Sequence, residues 1–336
     1  MRIGRFDSAA RPILIAEIGN NHEGDAGHAR ELVAAALEAG ADAVKVQVID
    51  PPRLVNIAQA ERIAQLGRFV LPLQVFVELA EQTRAGGAAF MASAFDVDSL
   101  AHIAPHCDAL KVASGDLTFD ALLVAAASHG PPVVLSTGMA RMAEVARAVD
   151  VFAGATVTHP LEERLALLHC VSLYPTGPGQ ANLGAIGALA AAFGLPTGYS
   201  DHTLGIEAAL VALGLGARII EKHFTIDKAR SAFRDHALSA DPAEFARLAG
   251  VVRGYRELLG SGRKDEKIAD AASAAAVRRS AVAARDLAAG TVLAAADLDY
   301  VRPGDGISPA HTATITGRHL RRALPRHAVI RMDDLG

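Results

Sequence analysis

Eight times along the chain a short apolar run ends in polar, reactive side chains, and each run is followed by a helix-like stretch. The runs are Ile13–Glu17, Ala43–Gln47, Ala88–Ser93, Ala109–Ser114, Val133–Thr137, Ala166–Ser172, Pro196–His202 and Ala217–His223. Barrel strands are buried on both faces, so near-continuous apolar runs are expected rather than strict alternation. The count and the alternation predict a (β/α)8 barrel of the TIM type, with its chemistry at the carboxyl ends of the strands. Amphipathic spacing predicts helices over 26–39, 73–84 and 206–213. Gly40, Gly86 and Gly87 fall where helices must stop, and Pro72, Pro132 and Pro196 where elements start.

The chain has 336 residues, and a barrel takes about 250 of them. The expected division is a barrel domain over 1–258, a linker over 259–278 and a small β-rich domain over 279–336. The linker reading rests on Gly260-Ser261-Gly262, a charged run from Arg263 to Lys267 and an Ala-rich stretch up to Ala276. The last segment holds a weak repeat. Leu287, Gly290, Val292, Asp297 and Leu298 recur with the spacing of Leu324, His327, Val329, Asp334 and Leu335. Two copies of strand, turn, strand and Asp-Leu imply pseudo-symmetry.

Composition narrows the function. Trp is absent and aromatics make up 4%, so the core is aliphatic. A net charge of −4 provides no basic field for nucleic acid. No apolar run reaches the ~18 residues of a membrane span, and 1–11 lacks a signal-peptide core. Cys107 and Cys170 make no disulfide framework. A cytoplasmic enzyme without membrane or nucleic-acid partners is expected.

The residues closing the runs carry the chemistry. His202 ends the seventh and His223 the eighth, on neighbouring strands about 4.8 Å apart. Two neutral imidazoles there can hold a divalent cation that keeps open positions. The plainer alternative is two unrelated polar side chains on a rim. Lys45 and Lys111 end runs two and four. A lysine in a barrel mouth binds an anion, forms a Schiff base or snorkels to solvent. Ser114, Ser136, Thr137 and Ser200 lie in short turns whose hydroxyls and N–H groups form an anion cradle. Ser114 or Thr118 could instead cap the next helix. Glu17 and Asp116 are the candidate carboxylates for a proton or a metal-bound water, although Glu17 could simply neutralise Lys45. His22 reads as a loop residue. Tyr174 closes run six, to bind a sugar hydroxyl or to pack.

Taken together, these segments resemble the sialic acid synthase family, which makes nonulosonic acids from phosphoenolpyruvate and an aminosugar. The matching stretches run from Ile15 to Gly24 and from Ala41 to Gln47. They continue with Lys111–Asp116, Leu135–Met139, Leu168–Thr176, Gly198–Gly205 and Glu221–Thr225. The tail with Val301-Arg302-Pro303-Gly304-Asp305-Gly306-Ile307-Ser308 is similar to the family's antifreeze-like (SAF) domain. The resemblance implies that His202 and His223 ligate Mn2+ or Mg2+. Lys111, Ser114, Ser136 and Ser200 would hold phosphoenolpyruvate, with Lys45 and Ser93 nearby. Glu17 and Asp116 would lie near the reacting centre, with Lys45 as a further catalytic group. Gln47, Tyr174 and Asp235 would face the aminosugar, for example N-acetylmannosamine. Arg302 would enter the site from a partner subunit, which implies a domain-swapped homodimer.

Departures cluster on the sugar side. Ala92-Ser93-Ala94-Phe95 replaces Ser-Thr-Pro-Phe, and Phe233-Arg234-Asp235-His236 replaces a frequent Gly-Pro-Asp. Ser172 stands where some members have Asn, and Ala276 where some carry an aromatic. These changes leave open which aminosugar is used and whether it is phosphorylated. Two other readings of the residues are a class I Schiff-base aldolase using Lys111 or Lys45, and a non-catalytic carbohydrate-binding scaffold.

Overall fold

The computed structural model describes residues 1–156, 160–263 and 271–336. It divides into two compact units, 1–259 and 260–336. The boundary between them overlaps the expected linker, of which 264–270 lie outside the described residues.

The first unit is a closed barrel of eight parallel strands in sequential order. They are β1 (Ile13–Gly19), β2 (Ala43–Val48), β3 (Ala89–Ala94), β4 (Ala109–Val112), β5 (Val133–Ser136), β6 (Leu165–Cys170), β7 (Thr197–Asp201) and β8 (Ile219–His223). The eight runs read from sequence are these strands, with ends shifted by at most two residues. One helix follows each strand to make the alternation: α1 (Ala26–Glu38), α2 (Leu73–Ala85), α3 (Val97–Ile103), α4 (Asp120–Ser128), α5 (Met142–Ala155), α6 (Ala185–Phe193), α7 (Glu207–Gly214) and α8 (Pro242–Leu259), with a further helix over Ala60–Gly67 between β2 and α2. Asp25 starts α1 by accepting the N–H groups of Gly27 and His28. Gly40 follows the helix with φ +91°, the conformation a Cβ disfavours.

Side-chain alternation splits each strand between two cores. Leu14, Ala16, Ile18, Val44, Val46, Phe90, Leu110, Val112, Leu135, Leu167 and Ile220 face the helices in one large buried cluster. Ile13, Ile15, Ala43, Ala89, Met91, Ala109, Val134, Ala166, Leu168 and Ile219 form a second cluster inside the barrel. Each of the larger side chains contributes roughly 1.5–3 kcal/mol on full burial. Continuing the inward columns by two residues changes their character. Ile15 gives way to Glu17, Ala43 to Lys45, Met91 to Ser93, Ala109 to Lys111, Val134 to Ser136, Leu168 to Cys170 and Ile219 to Glu221. The barrel is thus plugged by hydrocarbon at one end and lined by polar groups at the other. Gly198 belongs to the inward column of β7, where a Cβ would come within 2.1 Å of the Ile219 carbonyl oxygen. On the outer face, Lys222 Nζ lies 3.1 Å from Asp201 Oδ2 in a fully buried ion pair that links β7 to β8.

The second unit is β-rich, with β9 (Ser280–Ala283) antiparallel to β10 (Leu298–Val301) and a helix over Ala271–Val277. The repeat seen in sequence recurs in the hydrogen bonding. Asp297 accepts from the Ala294 N–H and from Arg285, and Asp334 accepts from the Arg331 N–H and from Arg322. Gly290 and His327 both have positive φ, and Leu287 pairs with Leu324 across the pseudo-symmetric halves. No helix among the described residues is long and apolar enough to cross a membrane.

Candidate active site

Strand register brings the polar ends of the inward columns to one level. Glu17 pairs with His223 on one side and with Lys45 on the other. Gln47 pairs with Ser93, Ser93 with Lys111, Cys170 with Ser200, and Ser200 with Glu221. These side chains line a cavity of about 250 Å³ that also includes Ser114, Ser136, Ser172, Tyr174 and His202.

Four charges lie at its floor. Lys45 Nζ is 2.7 Å from Glu17 Oε2 and 3.7 Å from Glu221 Oε2, and it donates to Ser93 Oγ at 3.3 Å. Burial disfavours the Lys45 ammonium, but the two carboxylates outweigh it, and its pKa lies above the usual lysine value. Burial also opposes the charge of Glu221, yet Lys45 and Lys111 hold its pKa at about 2. Ser200 Oγ donates to Glu221 Oε1 at 2.8 Å. Glu17 moves the other way. Burial raises it, Lys45 opposes the rise, and the neighbouring Glu221 adds to it.

Lys111 differs from Lys45. Its Nζ donates to the Val112 carbonyl at 2.9 Å, and among the described residues no carboxylate lies within 4 Å of it. Burial lowers its pKa. A buried ammonium with no carboxylate in contact is costly unless an anion completes it. The hydroxyls around it fit that need. Ser136 Oγ is buried without a hydrogen-bond partner. Ser114 Oγ accepts the Gly138 N–H at 2.9 Å, so Ser114 does not cap a helix. Neither Ser114 nor Thr118 caps α4, which has no side-chain cap.

The two histidines are neighbours, with ring centroids 5.5 Å apart. His202 Nδ1 donates to the Val171 carbonyl at 2.8 Å, which leaves the Nε2 lone pair free. Burial, followed by the nearby His223, lowers the His202 pKa to about 4. Burial lowers His223 as well. Both rings are therefore neutral at pH 7, the form that ligates metal. His223 Nδ1 is buried without a hydrogen-bond partner. Among the described residues no group of three or more His, Cys, Asp or Glu converges as a complete metal cage. Two neutral imidazoles with one free nitrogen each nevertheless fit a cation whose other positions belong to substrate and water.

The cavity opens into a larger pocket of about 720 Å³, which shares Gln47, Phe95, Tyr174 and His223 with it. Leu54, Leu66, Phe69 and Phe233 give this pocket apolar walls, while Asn20, Arg62, Arg68, Arg234 and Asp235 add polar groups. Gln47 donates to Glu17 at 2.7 Å and accepts from Asn20 at 2.9 Å. The Tyr174 ring lies 4.2 Å from that of His202 and beneath the Arg234 guanidinium.

Of the residues singled out in the sequence, Glu17, Lys45, Gln47, Ser93, Lys111, Ser114, Ser136, Tyr174, Ser200, His202 and His223 meet in the inner cavity, and Asp235 joins the outer pocket. Asp116 lines neither; it is half-buried, with Lys111 the charge that acts on it. Arg302 is exposed on the second unit. Glu221 entered the sequence reading only as the first residue of the stretch Glu221–Thr225. Its alternation with His223 along β8 was the signal that it points inward. Asn20 and His236 gave no comparable signal.

A profile described as the NeuB family matches residues 32–264, and one described as the SAF domain matches 278–336. The N,N'-diacetyllegionaminic acid synthase of Legionella pneumophila is 39% identical over 325 residues, spanning 91% of this chain and 90% of that protein. Its namesake in Campylobacter jejuni is 33% identical over 324 residues, spanning 92% and 95%. The crystal structure of N-acetylneuraminic acid (sialic acid) synthetase from Leptospira borgpetersenii, in complex with citrate, superposes with a TM-score of 0.73 at 33% identity. That match covers 81% of this chain and 93% of that one. Matched by the profile over more than half its length and by these relatives over nearly all of theirs, the chain belongs to the NeuB family of phosphoenolpyruvate-dependent sialic- and nonulosonic-acid synthases, with a C-terminal SAF domain.

Proposed function

We propose that the chain joins phosphoenolpyruvate to the open-chain aldehyde of an N-acylated aminosugar, giving a nonulosonic acid and phosphate at the site built from the strand ends. The observation that carries this reading is Lys111, a buried ammonium with, among the described residues, no carboxylate within 4 Å, beside a Ser136 hydroxyl that has no hydrogen-bond partner among them. Lys111, Ser93, Ser114, Ser136 and Ser200 hold the enol phosphate, with Lys45 fixing the charge balance below.

His202 and His223 would hold a divalent cation, Mn2+ or Mg2+, and their neutral rings and free nitrogens support this. When bound, the cation supplies Lewis acidity toward the acceptor carbonyl. Gln47, Tyr174 and Asp235 orient the aminosugar so that its aldehyde carbon faces C3 of phosphoenolpyruvate. The C3–C1 bond forms as the aldehyde oxygen becomes an alkoxide, C2 becomes electron-poor and is captured by water, and the C2–O bond to phosphate then breaks as C2 becomes a ketone; of the two protons of that water one ends on the alkoxide and one on phosphate. Glu17 accepts a proton of that water. Its place on the cavity wall, which Asp116 does not share, supports it over Asp116 in this role. Lys111 stabilises the phosphate as it leaves.

The two legionaminate-forming relatives support an acceptor with more than one acylamino group, and the apolar walls of the outer pocket suit acyl methyls. Arg302 completes the site from a partner subunit in a swapped homodimer. The test is phosphate release from phosphoenolpyruvate across a panel of mono- and diacylated aminosugars, with and without a 6-phosphate. Release that requires one of these acceptors supports the reading, and release indifferent to acceptor contradicts it. A Schiff-base aldolase remains the second reading because burial lowers the Lys111 pKa. Borohydride with pyruvate would trap that lysine only if this second reading holds.

A further inference from the structure

One buried histidine outside the cavity ties together two of the segments that wall the outer pocket. His236 is fully buried in the short helix Arg234–Leu238, just after Asp235. Its Nδ1 lies 2.7 Å from Thr225 Oγ1, and its Nε2 lies 3.1 Å from Glu23 Oε1. Both ring nitrogens are thus partnered, Nδ1 by the Thr225 hydroxyl and Nε2 by the Glu23 carboxylate.

Glu23 belongs to the turn after β1, where it holds φ +50°. It lines the outer pocket together with Asn20, Arg234 and Asp235. A second link runs parallel to the first. Asn21 donates to the Phe224 carbonyl and to Ser239 Oγ, and Ser239 Oγ donates in turn to the Asp235 carbonyl at 2.5 Å. The turn at 20–24 and the helix at 234–238 are therefore cross-tied, while Asp235 stands at the pocket wall with Oδ1 3.3 Å from Arg234 Nε.

We propose that His236 is a positioning residue for the sugar acceptor: by bridging Glu23 and Thr225 it fixes the wall that presents Asn20, Arg234 and Asp235 to the acceptor, and it leaves the phosphoenolpyruvate pocket untouched. The inference rests on the reading of the outer pocket as the acceptor site. Its basis is topological. Glu17, Lys45, Ser93, Lys111, Ser136, Ser200, Glu221 and His223 in the inner cavity stand on barrel strands, whereas this wall is built from two segments more than 200 residues apart and relies on side-chain ties.

The test compares His236→Ala, His236→Gln and Glu23→Asn with the unaltered chain. Asn is chosen at position 23 because it tolerates positive φ but cannot reach the ring. His236→Ala is expected to raise the acceptor KM by roughly tenfold or more, with kcat and the phosphoenolpyruvate KM within about threefold of the starting values. Glu23→Asn should reproduce this effect and should not add to His236→Ala. His236→Gln, whose amide can still donate to Glu23, should recover most of the loss. An acceptor KM unchanged in folded variants, or a phosphoenolpyruvate KM that rises in step, overturns the proposal.

Amide hydrogen exchange gives a second readout that needs no turnover. Residues 20–24 and 234–238 should lose protection together in Glu23→Asn and in His236→Ala, and unchanged protection overturns the tether. If His236→Ala does not fold, the other two variants decide by the same criteria. Absence of turnover in the unaltered chain would count against the acceptor reading, and hydrogen exchange would then decide the tether alone.

Discussion

Lys111 shows how one residue can be costly to the fold and necessary to the chemistry. Burial works against its charge, and Glu221, which is not in contact with it, offsets that only in part. Lys111→Met should therefore raise thermal stability while abolishing phosphoenolpyruvate binding, as expected where function is bought with strain. Loss of stability in that variant would show that the ammonium has a structural partner after all. Asp116 offers a pH-dependent counterpart. Burial raises its pKa from an ordinary 3.8 to about 6, with Lys111 opposing. Between those values the folded chain binds more protons than the unfolded one, so stability falls as pH rises through that window. Asp116→Asn should stabilise the chain above pH 6 by about 1–2 kcal/mol after allowance for partial exposure, and the gain should vanish toward pH 4. Melting curves at the two pH values check this. In the sequence Asp116 was indistinguishable from Glu17, since both follow an apolar run. Glu17 continues an inward column, however, and Asp116 sits in the turn beyond one.

Strands were the most legible elements. An inward column must be apolar while it fills the barrel and polar once it reaches solvent and substrate, so the change of character marks both the strand end and the site. The loop walls were not legible, because contacts such as Glu23 to His236 join positions that no local period connects. Two glycines make the element-level account testable. At Gly198 a Cβ would strike the Ile219 backbone, so Gly198→Ala should cost about 1–3 kcal/mol or more and push β7 from β8, separating the histidines. At Gly138 a Cβ would lie within 2.6–2.8 Å of Ser172 Oγ, Cys170 Sγ and Ser114 Oγ, all ends of short side chains. Gly138→Ala should thus cost less stability than Gly198→Ala while raising the phosphoenolpyruvate KM. Melting and steady-state kinetics on the two variants separate these outcomes, and equal stability losses would contradict the distinction.

At the scale of the molecule, the barrel supplies every group proposed to act except Arg302, which belongs to the SAF domain. The repeat in that domain was readable because its Asp297 and Asp334 ties recur at one spacing. What Arg302 faces could not be read from pattern and came only from resemblance. If sites are swapped, mixing inactive Arg302→Ala and His223→Ala chains should restore activity. One of two sites in each hybrid would be whole, giving about a quarter of normal activity at equal mixing. No recovery after subunit exchange would place Arg302 with its own barrel or outside the site.

The central claim is that the neutral His202 and His223 pair holds a divalent cation on which the condensation depends. Its most direct test is phosphate release from phosphoenolpyruvate and a competent aminosugar after chelation and during readdition of Mn2+, in the unaltered chain and in His223→Ala. The account predicts that chelation abolishes release, that Mn2+ restores it in the unaltered chain, and that no Mn2+ concentration tolerated by the protein restores normal rates in the variant. Full release in chelator, or from His223→Ala, would contradict it.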